Sequence, residues 1–179
     1  DAWVLTNQKV KNILEKLKEQ PLRMSDIFEK IFQGLATGRD KVFFLSEMIE
    51  KAAKNNAKLI VTPEMGTTGY CWYNREEVKE HVEKIPGTTT NYFLKIAKKY
   101  NCFIVLGMPE VDEVSNLYYN TAVLIGPNGI VGKHRKSHPY IAEPKWACNG
   151  NNDHEVFDTE IGKISLLICM DLHFFETAR

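Results

Sequence analysis

No apolar run in this chain of 179 residues approaches the roughly 20 residues that a membrane-spanning helix needs, and the basic-then-apolar pattern of a secretory signal is missing. Net charge is missing too. The 23 Lys and Arg balance 23 Asp and Glu, so no broad positive field gathers phosphates or anionic lipid. These absences argue against membrane and nucleic-acid partners and lead to the expectation of a cytoplasmic protein. Cysteine is sparse: Cys71, Cys102, Cys148 and Cys169 stand far apart, with no CxxC pair of the kind that binds zinc or cycles disulfides. No low-complexity tract and no internal repeat is found, which excludes a largely disordered chain or a solenoid. What remains is an ordinary globular balance, 44% hydrophobic and 26% charged, long enough for one domain with a real core.

Periodicity divides the chain. Within residues 7–20, Val10, Ile13, Leu14 and Leu17 recur at helical spacing, and Pro21 closes the segment. A second helix is expected after Ser25, with Ile27, Phe28, Ile31, Phe32 and Leu35 on its apolar side. Residues 1–39 therefore read as a helical N-terminal arm, and residues 40–179 as the main domain. Asp40 is placed as the cap of a third helix whose stripe is Phe44, Leu45, Met48, Ile49, Ala52 and Ala53, ending near Asn55 and Asn56. LIVTP is a buried strand halted by Pro63, with Glu64 just beyond it. After a loop of Gly, Thr and aromatics, a helix is expected over about residues 89–100, then the strand CFIVLGM. NTAVLIGPNGIVGKHRK predicts a hairpin turning at Pro127, Asn128 and Gly129, and FDTEIGKISLLIC a second one. Strands of both connection types interleaved with helices imply an α/β or α+β sheet covered by helices on at least one face.

Glu64, Lys136 and Cys169 each fall near the end of a predicted strand, where loops meet and ligands gather. A thiol becomes a strong nucleophile on losing its proton, which a carboxylate can accept. A nearby ammonium would favour the thiolate and then stabilise negative charge on the attacked atom. Taken singly, each residue has a plainer reading. Cys102 and Cys169 sit in Val, Ile and Leu runs that suit buried inert thiols, and Lys133, His134, Arg135 and Lys136 read as a solvated strand end or an anion site. His134 and His138 have no third ligand nearby, which argues against zinc and for a surface or loop role. GPNGIVGKH departs from a phosphate loop at both of its defining ends. Tyr70, Trp72 and Tyr73 suit either a pocket wall or packing.

Order and context decide between these readings. LIVTPEMGTTGYCW, GKHRKSH and GKISLLICMDLHFFETAR, in that order, resemble the three blocks of the nitrilase superfamily of carbon–nitrogen hydrolases, with its acid at Glu64, its lysine at Lys136 and its cysteine at Cys169. The following Asp171, Phe175, Glu176 and Arg179 fit the third block, and IAEPKW places a further glutamate of the family at Glu143, as a substrate-binding or auxiliary residue. Asp171, Glu176 and Arg179 are expected to orient the loop after the nucleophile through ion pairs.

The resemblance covers about residues 40–179 and implies an α/β fold, the nitrilase-like αββα four-layer sandwich, here ending shortly after the nucleophile strand as if the C-terminal part were missing. It further implies a thiol hydrolase that cleaves a small amide, carbamoyl amine or nitrile through a covalent thioester, with Glu64 alternating as base and acid. No cofactor and no metal are implied, and a homo-oligomer is expected. The rival expectation is a non-catalytic or incomplete homologue acting as a binding or assembly module, with the arm 1–39 contacting a partner.

Overall fold

A computed structural model describes residues 41–70 and 72–174, with side chains described from Leu45 onward. The expected arm 1–39, the cap at Asp40, Cys71, Phe175, Glu176 and Arg179 lie outside the described residues.

Helix α1, Lys41–Lys54, carries Lys51 and Lys54 in its last turn, where they complement the negative helix end. It stops at Asn56, which takes the left-handed conformation (φ 65°) that asparagine tolerates. Its inward face is rotated from the expected stripe: Ile49, Ala53 and Ser46 are buried, whereas Met48 is 54% exposed. The short strand β1, Leu59–Val61, follows, then the one-turn helix α2, Arg75–Val78, capped by the Asn74 side chain, which accepts from Glu77 N. Helix α3, Thr88–Tyr100, ends on left-handed Asn101 and leads into β2, Phe103–Val111. The first expected hairpin is β3, Tyr118–Gly126, with β4, Gly129–Arg135; the second is β5, Val156–Thr159, with β6, Gly162–Ser165.

The main sheet runs β1-β2-β3-β4, with β1 parallel to β2 and the other pairs antiparallel. Every residue of β3 is buried, and all of β2 except its last, because both faces of the sheet are covered at these two central strands, whereas Leu59 and Val61 of the edge strand β1 are exposed. On one face Ile60, Ile104, Leu106, Met108, Val123 and Ile125 pack against Ile49 and Ala53 of α1 and Phe93, Ile96 and Ala97 of α3. On the other, Phe103, Val105, Ala122 and Leu124 meet Phe157 and Ile164 of the second hairpin, with Leu166 and Ile168 beyond it. The order is helices, sheet, sheet. Gly132 of β4 permits this last contact, since a Cβ there would lie 2.1 Å from the Phe157 ring.

The loop after β1 is held on β2 just as closely. Gly107 donates to Thr62 Oγ1 (3.0 Å) and its carbonyl accepts from Thr67 N (3.2 Å). A Cβ at Gly107 would lie 2.5 Å from the Pro63 carbonyl oxygen and 3.2 Å from Glu64 Cα, so only glycine lets the Glu64 segment lie there. Gly107→Ala is therefore expected to destabilise the protein by about 1–3 kcal/mol, as overpacking against fixed backbone does. Urea denaturation should show the lower midpoint, and an unchanged midpoint would contradict this packing.

Candidate active site

Glu64, Lys136, Glu143 and Cys169 come together at one end of the main sheet. Glu64 lies three residues past β1, and Lys136 directly follows β4, its N–H bonded to the Asn120 carbonyl at 2.8 Å as the β3–β4 pairing continues. Glu143 opens a 3-10 turn, Glu143–Lys145, whose Pro144 has the backbone angle such a turn needs. Cys169 opens another, Cys169–His173, so the nucleophile candidate stands on a turn four residues after β6 and not on the strand expected from SLLIC.

One ammonium organises these groups. Lys136 is 1% exposed, and its Nζ lies 2.7 Å from Glu64 Oε1 and 2.5 Å from Glu143 Oε2. Burial alone would lower its pKa, but its hydrogen bonds to both carboxylates and their charges outweigh that and raise it. The two glutamates differ in how much of their oxygen is already engaged. Glu143 accepts on both oxygens: Oε2 takes Lys136, the Tyr70 hydroxyl (3.0 Å) and Tyr140 N (2.7 Å), and Oε1 takes Asn120 (2.6 Å). Glu64 accepts from Lys136 and from Asn120 (2.8 Å), both on Oε1, so its second oxygen is committed to neither.

Asn120 and Tyr70 thus join the site. The sequence reading left Tyr70 open and passed over Asn120. The Tyr70 hydroxyl is held far above its usual pKa by burial and by Glu143, with Glu64 and Cys169 adding to the effect. Trp72 bonds Gly69 O and packs in a cluster of Met65, Val78, Tyr118, Trp146 and Ala147, which fastens the Glu64 loop to the Glu143 turn. Tyr73 is 66% exposed and lines nothing here.

Cys169 is exposed, unlike Cys102, which is buried with its thiol pKa raised by burial, as the inert reading required. The Cys169 backbone is left-handed (φ 45°), and so are Met65 beside Glu64 (φ 53°) and Ile141 two residues before Glu143 (φ 48°). Such conformations are costly for residues with side chains, by about 1–3 kcal/mol each, and here all three adjoin the same four groups. The expected shift of Cys169 toward thiolate is reversed. Partial burial and the adjacent Glu64 charge raise the thiol pKa, Lys136 opposes them, and the balance keeps the proton on sulfur. Lys136 cannot win because its charge is shared by two carboxylates.

The turn that carries Cys169 is fixed by Asp171. This buried carboxylate accepts from His134 Nε2 (2.9 Å), His138 N (3.0 Å) and Ile168 N (3.1 Å), with His138 Nδ1 at 3.2 Å. The orienting role expected of Asp171 holds, while Glu176 and Arg179 lie outside the described residues. The reading of Lys133–Lys136 as a solvated strand end does not hold. His134, Arg135 and Lys136 are buried, and Arg135 forms ion pairs with Glu110 (2.5 Å) and Asp112 (2.8 Å). Lys133 also pairs with Glu110 at 2.5 Å, so this charge run met its partners in the fold. Both His134 and His138 contact Asp171; the surface-or-loop reading fails for His134, buried on β4, and stands for His138, half-buried on the bend that follows.

Residues 44–179 match the family described as Carbon-nitrogen hydrolase. The chain belongs to that family. It is 39% identical over 142 residues to a nitrilase of Pyrococcus abyssi, covering 78% of this chain and 53% of that protein. It is 35% identical over 136 residues to a beta-ureidopropionase of Arabidopsis thaliana, covering 72% of this chain and 33% of the relative. The chain thus spans about half or less of the length of the curated relatives it matches. In fold it is similar to a nitrilase-superfamily member from Saccharomyces cerevisiae (TM-score 0.66, 24% identity, 80% of this chain and 56% of that one). A carbon–nitrogen hydrolase from Helicobacter pylori G27 gives a TM-score of 0.62 at 23% identity over 78% of this chain and 50% of that one. The nitrilase fold implied by the sequence is thereby borne out. No helix among the described residues is long and apolar enough to cross a membrane.

The geometry of this charged cluster can be tested at two points. Lys136→Met leaves two carboxylates facing each other without their cation, so unfolding free energy should fall by about 3–5 kcal/mol, and adding Glu143→Gln should recover part of it in a double-mutant cycle. Additive losses would contradict the coupling. Burial raises the Asp171 pKa, but its hydrogen bonds from His134, Ile168 and His138 outweigh that and hold it at about 2. An unfolded aspartate titrates near ~3.9, so this carboxylate's contribution is full above about pH 4 and is lost as pH falls through about 2. Asp171→Asn should therefore flatten the decline in stability over that window, measured by denaturant titration at stepped pH.

Proposed function

We propose that this protein hydrolyses a non-peptide carbon–nitrogen bond of a small amide, carbamoyl amine or nitrile, with Cys169 as nucleophile, Glu64 as proton-transfer base and Lys136 as the cation that stabilises the oxyanion. The reading is carried by the unequal engagement of the two glutamates around one ammonium. Glu143, with both oxygens engaged and four donors on them, acts as a fixed counter-charge that holds Lys136 and Tyr70. Glu64 keeps an oxygen for the Cys169 proton, and Lys136, having given two of its three protons to carboxylates, keeps one for the substrate.

For an amide, the reaction runs as follows. The sulfur attacks the carbonyl carbon as its proton passes to Glu64, and negative charge developing on oxygen is met by Lys136. Glu64 gives the proton to the nitrogen, the C–N bond breaks, and ammonia or an amine leaves a thioester on Cys169. Water, deprotonated by Glu64, attacks that thioester and releases the carboxylic acid, returning the proton to sulfur. A thiol protonated at rest suits this sequence, because transfer then accompanies attack. No step calls on a metal or an organic cofactor. A cytoplasmic location and a homo-oligomer are part of the same reading.

Ammonia release from a panel of amides, carbamoyl amines and nitriles is the direct test. Cys169→Ala is expected to lower turnover by on the order of 10³-fold or more, and Glu64→Gln and Lys136→Ala similarly, while Cys102→Ala affects stability alone. Ammonia release retained by Cys169→Ala would end the proposal, and a wild-type chain inert toward the whole panel would favour the rival binding module.

A further inference from the structure

We propose that Asn120 is a positioning residue for the reaction, holding the Glu64 carboxylate in one rotation so that its second oxygen serves the Cys169 thiol. The inference rests on the assignment of Glu64 as the base for that thiol. Asn120 is 1% exposed, the third of nine residues in a strand whose others are apolar, aromatic, threonine or glycine. Asparagine is poorly suited to such a strand, so its side chain needs a reason to be there.

The two protons of its amide nitrogen are divided between the site's two acids, 2.8 Å to Glu64 Oε1 and 2.6 Å to Glu143 Oε1. Carboxylates only accept, so this orientation of the amide is the one the partners allow; the flipped amide would set oxygen against oxygen. Its own oxygen is buried and has no hydrogen-bond partner among the described residues. An unpaired buried acceptor is unfavourable, and an apolar side chain of the same size would avoid it. The amide is therefore kept for its donors. Its neighbours serve elsewhere: Thr121 donates to Glu110, and the Tyr119 ring lies under the Arg135 guanidinium at 4.0 Å. The backbone of Asn120 also takes the Lys136 N–H. One residue thus sets the strand position of the ammonium and the rotation of both carboxylates that neutralise it.

With Oε1 of Glu64 pinned by Asn120 and Lys136, rotation of the carboxylate would break two bonds at once. Without Asn120, Lys136 alone holds that oxygen, and the carboxylate can turn from the thiol or take up a proton. The groups facing the Cys169 sulfur are Glu64 and Tyr70 from the loop after β1, Lys136 from the end of β4 and Glu143 from its turn. On the thiol's own turn, Asp171 is committed to His134 and His138. After burial, the Glu64 charge does most to raise the thiol pKa, so loosening that carboxylate should make the sulfur more reactive at neutral pH.

The test follows alkylation of each cysteine by iodoacetamide across pH, read by mass spectrometry on the full chain. Glu64→Gln should accelerate Cys169 labelling at pH 7 by on the order of tenfold and move its midpoint to lower pH. Asn120→Leu should give a fraction of that change, at least about threefold. Buried Cys102 is the internal reference and should not change. Should the leucine variant fail to fold, Asn120→Thr, a good strand former with a single proton to donate, should give a smaller shift in the same direction. Wild-type labelling of Cys169 in a folded Asn120 variant, with Glu64→Gln accelerated, overturns the positioning role alone. Acceleration shared with Cys102 reports opening of the fold and overturns it too. A Glu64→Gln variant that labels like wild type would sink the base assignment and this inference together.

Discussion

A lysine ammonium removed from water stays charged only if its surroundings supply the interactions water gave it, and the alternative costs several kcal/mol per ion. Lys136 meets that condition with two carboxylates and a strand position fixed by Asn120. Each partner comes from a different part of the chain, so the ion cluster can form only where the loop after β1, the end of β4 and the 3-10 turn at Glu143 converge. The packing that brings them there is dense. Gly107 lets the first loop lie on β2, and the Met65–Trp146 cluster ties that loop to the turn. The left-handed residues beside Glu64, Glu143 and Cys169 show what this convergence demands of the backbone.

The cluster also sets the character of the sulfur. Two carboxylates and one ammonium leave local charge negative, and a thiolate added to that set would be opposed by more than it gained. The balance of shifts on Cys169 follows this sign. In the proposed reaction the proton need not leave in advance; it moves to Glu64 as the new bond forms, which also protects an exposed thiol from adventitious alkylation or oxidation between turnovers. In that proposal two residues of one type do different work, because Glu143 has donors on both of its oxygens and Glu64 on one.

Elements with strong periodicity were legible in the sequence: the helix over Thr88–Tyr100, the long strands and both hairpin turns lie where the pattern places them. Glu64, Lys136, Glu143 and Cys169 were legible through resemblance, since nothing in their individual surroundings separates them from solvated or inert residues. Three things were hidden. Met48 scores as apolar on α1, but the helix is rotated so that Ser46 takes the inward position. The basic run Lys133–Lys136 reads as solvated because its partners Glu110, Asp112, Glu64 and Asp171 lie far along the chain and only sheet register brings them near. Asn120 looked like one polar residue in a hairpin strand; the available signal was an asparagine inside a run otherwise fit for burial on both faces.

Strand β4 sends successive side chains to opposite faces, as any strand must. His134 reaches Asp171 under the Cys169 turn, Arg135 braces Glu110 and Asp112 on the far side, and Lys136 enters the acidic pair. The strand therefore behaves like text with a reading frame. Inserting one residue between the Gly126–Gly129 turn and His134 would present a guanidinium to the two glutamates and aim the ammonium away, and deleting one would present the Ser137 hydroxyl there instead, with composition almost unaltered and every motif still visible to the eye. The hairpin's length is thus under as strict a constraint as the identity of the lysine it delivers.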